Sequence, residues 1–260
     1  MLLPALSVIT GLIVLVITID HLGSRRVRSR VRRRAQRFFA EAKSLPLPAE
    51  SISSTNNREA LETVRLKLKE SRRLAPKGSW YPVEAKLFLA AYPLAGVYYA
   101  DWTRAPFVSE KQMRWLEGDQ AGEERRLLSV FRLSAKKKLS PPLAWWVLQI
   151  PWYPSLLHHP DLNVDPLDTR GCRLTWVGDD RWGVDLLENK EGQWTESVLY
   201  GFRQKKEQPL LRCYWKNYKN FGHWSVPTEL ITEQHDHGSW WQTGQTQLTD
   251  WVPNEEFKWW

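Results

Sequence analysis

Residues Leu2 to Ile19 read LLPALSVITGLIVLVITI, 18 residues without a charge, and no other stretch constrains this chain as strongly. At about 1.5 Å per residue, a helix of that length is roughly 27 Å long, close to the hydrocarbon thickness of a bilayer. Asp20 and His21 end the run, and eight arginines follow between Arg25 and Arg37 with no acid among them. A cleaved secretion signal has the reverse order, with positive charge before the apolar stretch and a small-residue cleavage site after it. No Lys or Arg precedes Leu2 here, and no such site lies between Ile19 and Arg25. The sequence therefore predicts a transmembrane anchor over residues 1–22. Lys and Arg that flank a span are retained in the cytoplasm. The expected topology is single-pass, with the N-terminus outside and the C-terminal domain cytoplasmic.

Residues 23–42 read as a basic juxtamembrane helix. Val27, Val31, Ala35, Phe38 and Phe39 recur at helical spacing among Arg25, Arg26, Arg28, Arg30, Arg32, Arg33, Arg34 and Arg37. One reading lays this helix at the headgroups, apolar stripe inward and arginines on anionic lipid. The other makes the arginines a topology signal alone.

The chain carries a net charge of +8 and an isoelectric point near 9.5. Most of that excess is local. Residues 1–40 carry +7 and residues 41–260 only +1. A nucleic-acid binder keeps its positive footprint on the folded domain, so nucleic acid is not an expected partner. The two cysteines, Cys172 and Cys213, are too few for a disulfide framework or a zinc site.

Residues 43–57, with Pro46 and Pro48 followed by Ser, Thr and Asn, form a linker. From 58 to 255 the texture is that of short alternating strands. Val64, Leu66 and Leu68 face one way, and Arg65, Lys67 and Lys69 the other. Tyr81–Ala91 and Gly96–Trp102 follow as strands, 108–125 reads as loop with a short strand, and Leu127–Leu133 as another strand. A helical insert is expected near 140–158, where Leu143, Trp146, Val147 and Ile150 share one helical face after Pro141 and Pro142. Cys172, Leu174 and Trp176, then Trp182, Val184 and Leu186, read as a hairpin turning at Gly178-Asp179-Asp180. Strands continue toward the C-terminus. The expected fold is α+β: an N-terminal transmembrane helix, then a mainly antiparallel sheet with a short helical insert.

Tryptophan is the compositional outlier, 16 in all, 13 of them between Trp145 and Trp260. Indole favours cores and ligand pockets with a wet edge. Most of these rings are expected in the core. Trp146, Trp152, Trp176, Trp182, Trp194 and Trp215 are candidates to line an apolar cavity.

Three stretches resemble an uncharacterised bacterial domain family of unknown function: GSWYPVEAKLFLAAYPLAGVYYADW (Gly78–Trp102), IPWYPSLLHHPDLNVDPLD (Ile150–Asp168) and NYKNFGHWSVPTELITEQ (Asn217–Gln234). The shared pattern falls on Trp80, Pro82 and Ala85, on Trp152, Tyr153, Pro154 and Leu157, and on Tyr218, Gly222, Pro227, Thr228 and Leu230. This chain departs from the pattern at Tyr81 and at Gln149, where the pattern carries an acid; a chemical role of that acid would be lost here. The resemblance implies a fold, the open half-barrel sheet of lipoprotein carriers, which hold acyl chains inside. Many such carriers are exported, which conflicts with the topology read from the arginines.

No linear catalytic motif is present, neither G-x-S-x-G nor a Walker loop, G-x-G-x-x-G or H-E-x-x-H. Asp161, Asn163 and Asp165 begin like a calcium loop, but Pro166 and Cys172 stand where glycine and a bidentate acid belong. His235 and His237 lack a third ligand at motif spacing. No metal, cofactor or enzymatic activity is expected. The expected function is a membrane-anchored protein binding a lipid or other apolar ligand. The alternative is a scaffold that holds a partner protein at the membrane.

Overall fold

The computed structural model describes residues 2–44, 63–90, 95–105, 108–117, 120–127, 131–133, 142–168, 170–203, 206–222 and 224–254. The expected linker, apart from its first two residues, lies outside them. One helix, α1 (Leu2–Ser44), opens the chain. The expected anchor and juxtamembrane helix are thus a single continuous element. Among the described residues no helix is long and apolar enough to cross a membrane. The apolar run begins at Leu2, and the side chains of residues 2–8 lie outside the described set.

Among the described residues thirteen strands follow in one antiparallel sheet. The first group is β1 (Thr63–Arg73), β2 (Trp80–Ala90), β3 (Ala95–Ala105), β4 (Val108–Glu117), β5 (Gln120–Leu127) and β6 (Phe131–Leu133). The second is β7 (Leu162–Pro166), β8 (Gly171–Trp176), β9 (Asp179–Glu188), β10 (Trp194–Arg203), β11 (Lys206–Phe221), β12 (Trp224–Asp236) and β13 (Ser239–Pro253). The order across the sheet is β6-β5-β4-β3-β2-β1-β13-β12-β11-β10-β9-β8-β7. Each group is a meander, and the two meet where β1 pairs with β13, Leu66 opposite Trp251.

The edges β6 and β7 are far apart in the sheet but adjacent in sequence, so the chain must cross one face to join them. The crossing holds α2 (Pro142–Val147) and two 3-10 turns, Ile150–Trp152 and Pro154–His158. Its side chains and the inward rows of both meanders share one buried cluster, including Leu66, Leu87, Trp146, Ile150, Trp152, Leu186, Trp215 and Trp251. The sheet therefore curves around the crossing segment and remains open, because β6 and β7 do not pair.

Two expectations are corrected. The polar stretch 108–125 is the strand pair β4–β5, Arg114 opposite Glu123 and Gln112 opposite Arg125. Its inward residues pair by charge, so no apolar alternation marks it. Leu127–Leu133 is not one strand: Leu127 ends β5 and pairs with Phe131 of β6.

Candidate functional site

Successive strand residues point to opposite faces, so register decides what lines the concave side. Across β7–β13 that lining is apolar: Leu174, Trp176, Val184, Leu186, Leu199, Cys213, Trp215, Leu230 and Trp251 are all buried. The crossing segment covers this floor. Trp146 is 0 % exposed and Trp152 1 %. Trp152 donates its indole N–H to the Pro227 carbonyl at 2.9 Å, and the Trp251 indole donates to the Trp152 carbonyl at 3.1 Å. The Trp152 and Trp215 rings meet edge to face at 5.1 Å. The approach over β3 is tight enough to require glycine: a Cβ at Gly96 would sit 2.6 Å from Trp146 Cζ3.

The six tryptophans named from sequence are brought together, but in a packed core. Trp146, Trp152, Trp176, Trp182 and Trp215 are buried, and Trp194 packs partly buried against them. Three of the six indole N–H groups, those of Trp152, Trp182 and Trp215, donate inside the protein. Trp215 donates to Ser197 Oγ at 3.0 Å and Trp182 to Asp179 Oδ2 at 3.0 Å. Trp176 stacks on His159, and burial lowers the pKa of that imidazole against the raising influence of Asp161. The buried indole N–H of Trp146 has no hydrogen-bond partner. Burial pushes the Cys172 thiol up to about 11 and the Cys213 thiol up to about 12, so both are protonated at neutral pH.

Sequence reasoning missed a charged network on the same concave side, toward the far end of β1–β5. Glu70 and Arg72 of β1 reach Tyr98 of β3, whose hydroxyl donates to Glu70 Oε1 at 3.0 Å and accepts from Arg72. Arg72 also donates to Gln112 Oε1 at 2.6 Å, and Gln112 donates to Glu123 Oε1 at 2.6 Å. Arg114 donates to Glu123 at 3.1 Å and lies 4.4 Å from the Trp145 ring centre. Arg125 donates to the fully buried Glu110 at 2.7 Å. Burial raises the Tyr98 pKa beyond the ordinary phenol range, with Arg72 opposing that effect. Burial also pushes the Glu123 carboxyl up, yet Arg114 and the Gln112 hydrogen bond outweigh it and leave the group below its ordinary value. Three carboxylates facing three guanidiniums make a balanced polar rim beside the apolar floor. The signal for it in the sequence was the alternation of Glu110, Gln112 and Arg114 opposite Glu123 and Arg125.

On the convex side α1 docks across β2–β4. Val27 packs with Phe88, Ala90, Ala95, Val97, Tyr99 and Met113. Ser109 Oγ donates to Asp20 at 2.7 Å and accepts from Lys111 Nζ at 3.2 Å; Lys111 also donates to Asp101 at 3.1 Å. Further along, Arg30 pairs with Glu124 at 3.6 Å and Arg37 with Glu117 at 2.9 Å. A cleft of about 10 Å³ lies between Val27, Arg30, Lys111, Met113, Glu124 and Arg126, room for about one water. The expectation of an apolar stripe turned toward lipid is thus corrected at Val27, which faces the sheet. The side chains of Val31, Ala35, Phe38 and Phe39 lie outside the described residues, as does that of Arg34. Arg25, Arg26, Arg28, Arg30, Arg32, Arg33 and Arg37 are exposed. Ile9, Leu12, Val14, Leu15 and Ile17, N-terminal of the dock, and Leu22 on its outer side are 48–56 % exposed.

His235, Asp236 and His237 run into the β12–β13 turn, with His237 at φ 47°. Among the described residues no group of His, Cys, Asp and Glu is placed to hold a metal ion.

Solved structures with similar architecture include a DUF1329 family protein from Desulfovibrio piger, at 10 % identity and TM-score 0.49, covering 77 % of this chain and 89 % of that one. A LolA superfamily protein from Nitrosomonas europaea matches at 12 % identity and TM-score 0.43, covering 85 % and 94 %. A domain named for outer membrane lipoprotein sorting, from Vibrio parahaemolyticus, matches at 10 % identity and TM-score 0.44, covering 77 % and 88 %. The comparison with curated proteins returned no match. The family model of unknown function DUF6544 matches residues 37–243, from the end of α1 through the crossing segment to the start of β13, and the chain belongs to that family.

Proposed function

We propose that this chain is a membrane-tethered domain that takes a lipid or acyl chain between the concave floor of its sheet and the helical cover. The observation that carries this reading is the way the cover is held. It crosses the floor between two unpaired sheet edges and lies on it through apolar side chains, so an apolar chain is the chemistry that competes for the same surface. The polar rim of Arg72, Arg114 and Tyr98 beside that floor suits the head of an amphipathic molecule. The role needs no chemical step, in keeping with a chain that carries no catalytic motif. The test is to purify the full chain in mild detergent, expose it to lipid extract, and combine native mass spectrometry with tryptophan quenching by doxyl fatty acids. Bound lipid and quenching support the reading; a lipid-free protein with no quenching overturns it.

The tether rests on the exposed aliphatic surface of α1 from Ile9 to Leu22. The arginines after it favour a cytoplasmic sheet domain. A reporter fused at the C-terminus and accessible only from outside the cell would reverse that orientation.

A second reading, a scaffold holding a partner protein at the membrane, is favoured by the filled floor, since Trp146, Trp152, Trp176, Trp182 and Trp215 are each at most 5 % exposed. It predicts a stable partner on cross-linking and pull-down from membranes, and recovery of the chain alone counts against it.

A further inference from the structure

The direction of α1 relative to the strands fixes which end of the sheet faces the surface its apolar half enters. Asp20 is bonded to Ser109 and Arg37 to Glu117, so α1 follows β4 in the same direction. The helical rise from 20 to 37 and the strand rise from 109 to 117 are both about 26 Å, so the two run nearly parallel. The apolar half therefore leaves past the end of the sheet where β4 begins. Register identifies what else lies there. Glu110 is opposite Trp102, Trp102 opposite Val83, and Val83 opposite Glu70, which puts Ser109 level with Ser71. Arg73 and its partner Trp80 stand two residues further out, about 7 Å. That is the level of α1 about four to five residues before Asp20, within the apolar half.

Trp80 points to the convex side, the side on which α1 lies, because it shares its strand parity with Phe88 under Val27. The Arg73 guanidinium lies between two indoles, 5.1 Å from the Trp80 ring centre and 5.7 Å from that of Trp241, and donates to the Gln242 carbonyl at 3.1 Å. Beyond it the β1–β2 turn exposes Leu74 and Lys77. Outside α1, the described large apolar residues with strong exposure are Leu74 at 49 %, Trp80 at 42 %, Val164 and Val177. The first two lie at the end of the sheet past which the helix emerges. Val177 follows β8, at the far side of a sheet whose twist of about 20° per strand turns it away. Indole, guanidinium and a neighbouring lysine are the side-chain types that settle at a lipid headgroup layer, ring toward the acyl boundary and charge toward phosphate.

We propose that this end of the sheet, the Trp80–Arg73–Trp241 stack with Leu74 and Lys77 at its tip, seats in the headgroup layer of the bilayer that α1 enters. The seat rests on the tether reading and adds a second, independent contact to it. It sets the strands along the membrane normal and points the polar rim end of the concave face toward the lipid.

The test uses the full chain in vesicles of phosphatidylcholine with a minority of phosphatidylglycerol, labelled with an environment-sensitive fluorophore at one introduced thiol. Cys172 and Cys213 are buried and protonated, so they do not compete for label. Lys77→Cys reports the seat, Lys190→Cys the opposite end of the sheet, and Leu12→Cys the apolar half of α1. The expected result is a blue shift and quenching by headgroup-depth spin labels at 77, with neither at 190. Adding Trp80→Ser and Leu74→Ser to Lys77→Cys should reverse the shift at 77 while leaving quenching at 12. A label at 77 that behaves like that at 190 while 12 is quenched overturns the seat and leaves the tether standing. A label at 12 that is not quenched overturns the tether, and the seat with it.

Discussion

Beneath the crossing segment, the inward rows of β8–β11 carry Leu174, Val184, Leu186, Leu199, Cys213 and Trp215. The corresponding rows at the far end of β1–β5 carry Glu70, Arg72, Gln112, Arg114, Glu123 and Arg125. Both belong to antiparallel meanders on one side of one sheet. The first gains stability from removing apolar area from water, and it needs a cover to do so. The second holds charges that are partly desolvated, and it is tolerable only because each acid faces a guanidinium or amide. A sheet built this way has an apolar floor at one end and a charged one at the other. The contrast also predicts different responses to damage, because an apolar floor fails by losing volume and a charged one by losing a partner.

The largest expected effect is on the apolar side. Trp152→Ala should destabilise the domain by about 4 kcal/mol, read as the shift in urea midpoint, since it empties the centre of the cover. On the polar side Arg125→Met should cost about 3 kcal/mol by removing a guanidinium from buried Glu110. If that substitution is neutral, the network is solvated and the contrast between the two floors disappears. Val27→Ala, on the convex side, should cost about 1.5 kcal/mol through two lost buried methyl groups. The polar floor should also be sensitive to acid. The folded-state pKa of Glu123 is depressed, so its contribution is present above the ordinary carboxylate range and is lost as pH falls through the lowered folded value. The stability gap between the native chain and Glu123→Gln should shrink on acidification, and a gap independent of pH would sink the assignment. The smallest effect sharpens the apolar side alone. Trp152 donates a hydrogen bond and Trp146 does not, so Trp146→Phe should be milder than Trp152→Phe by about 1 kcal/mol.

Much of the fold could be read from alternation. Val64, Leu66 and Leu68 in β1, and the hairpin from Cys172 to Leu186, show a period of two because one face is apolar and the other wet. The same rule concealed β4 and β5, where Glu110, Gln112 and Arg114 face inward and satisfy one another across strands. The change of charge at residue 22 conceals the continuity of α1. Its docking face keeps one helical phase through Asp20, Ser24 and Val27, which is a sign of a continuous rod. The tryptophan surplus signalled a core, but composition does not separate a ring that lines a cavity from one that fills it. Only register and the path of the crossing segment do that. The Trp80–Arg73–Trp241 stack joins residues from both ends of the strand series, and no local pattern relates them.

The pairing of β1 with β13 has a consequence for biosynthesis. The seam between the two meanders joins Thr63–Arg73 to Ser239–Pro253, so the middle of the sheet is the last part a ribosome can complete. Until residue 253 has emerged, β1 presents an unpaired edge of alternating aliphatic and basic residues next to a helix already made. Translation therefore leaves this nascent domain dependent on shielding for nearly its whole length, and a stop codon just before β13 exposes that edge permanently.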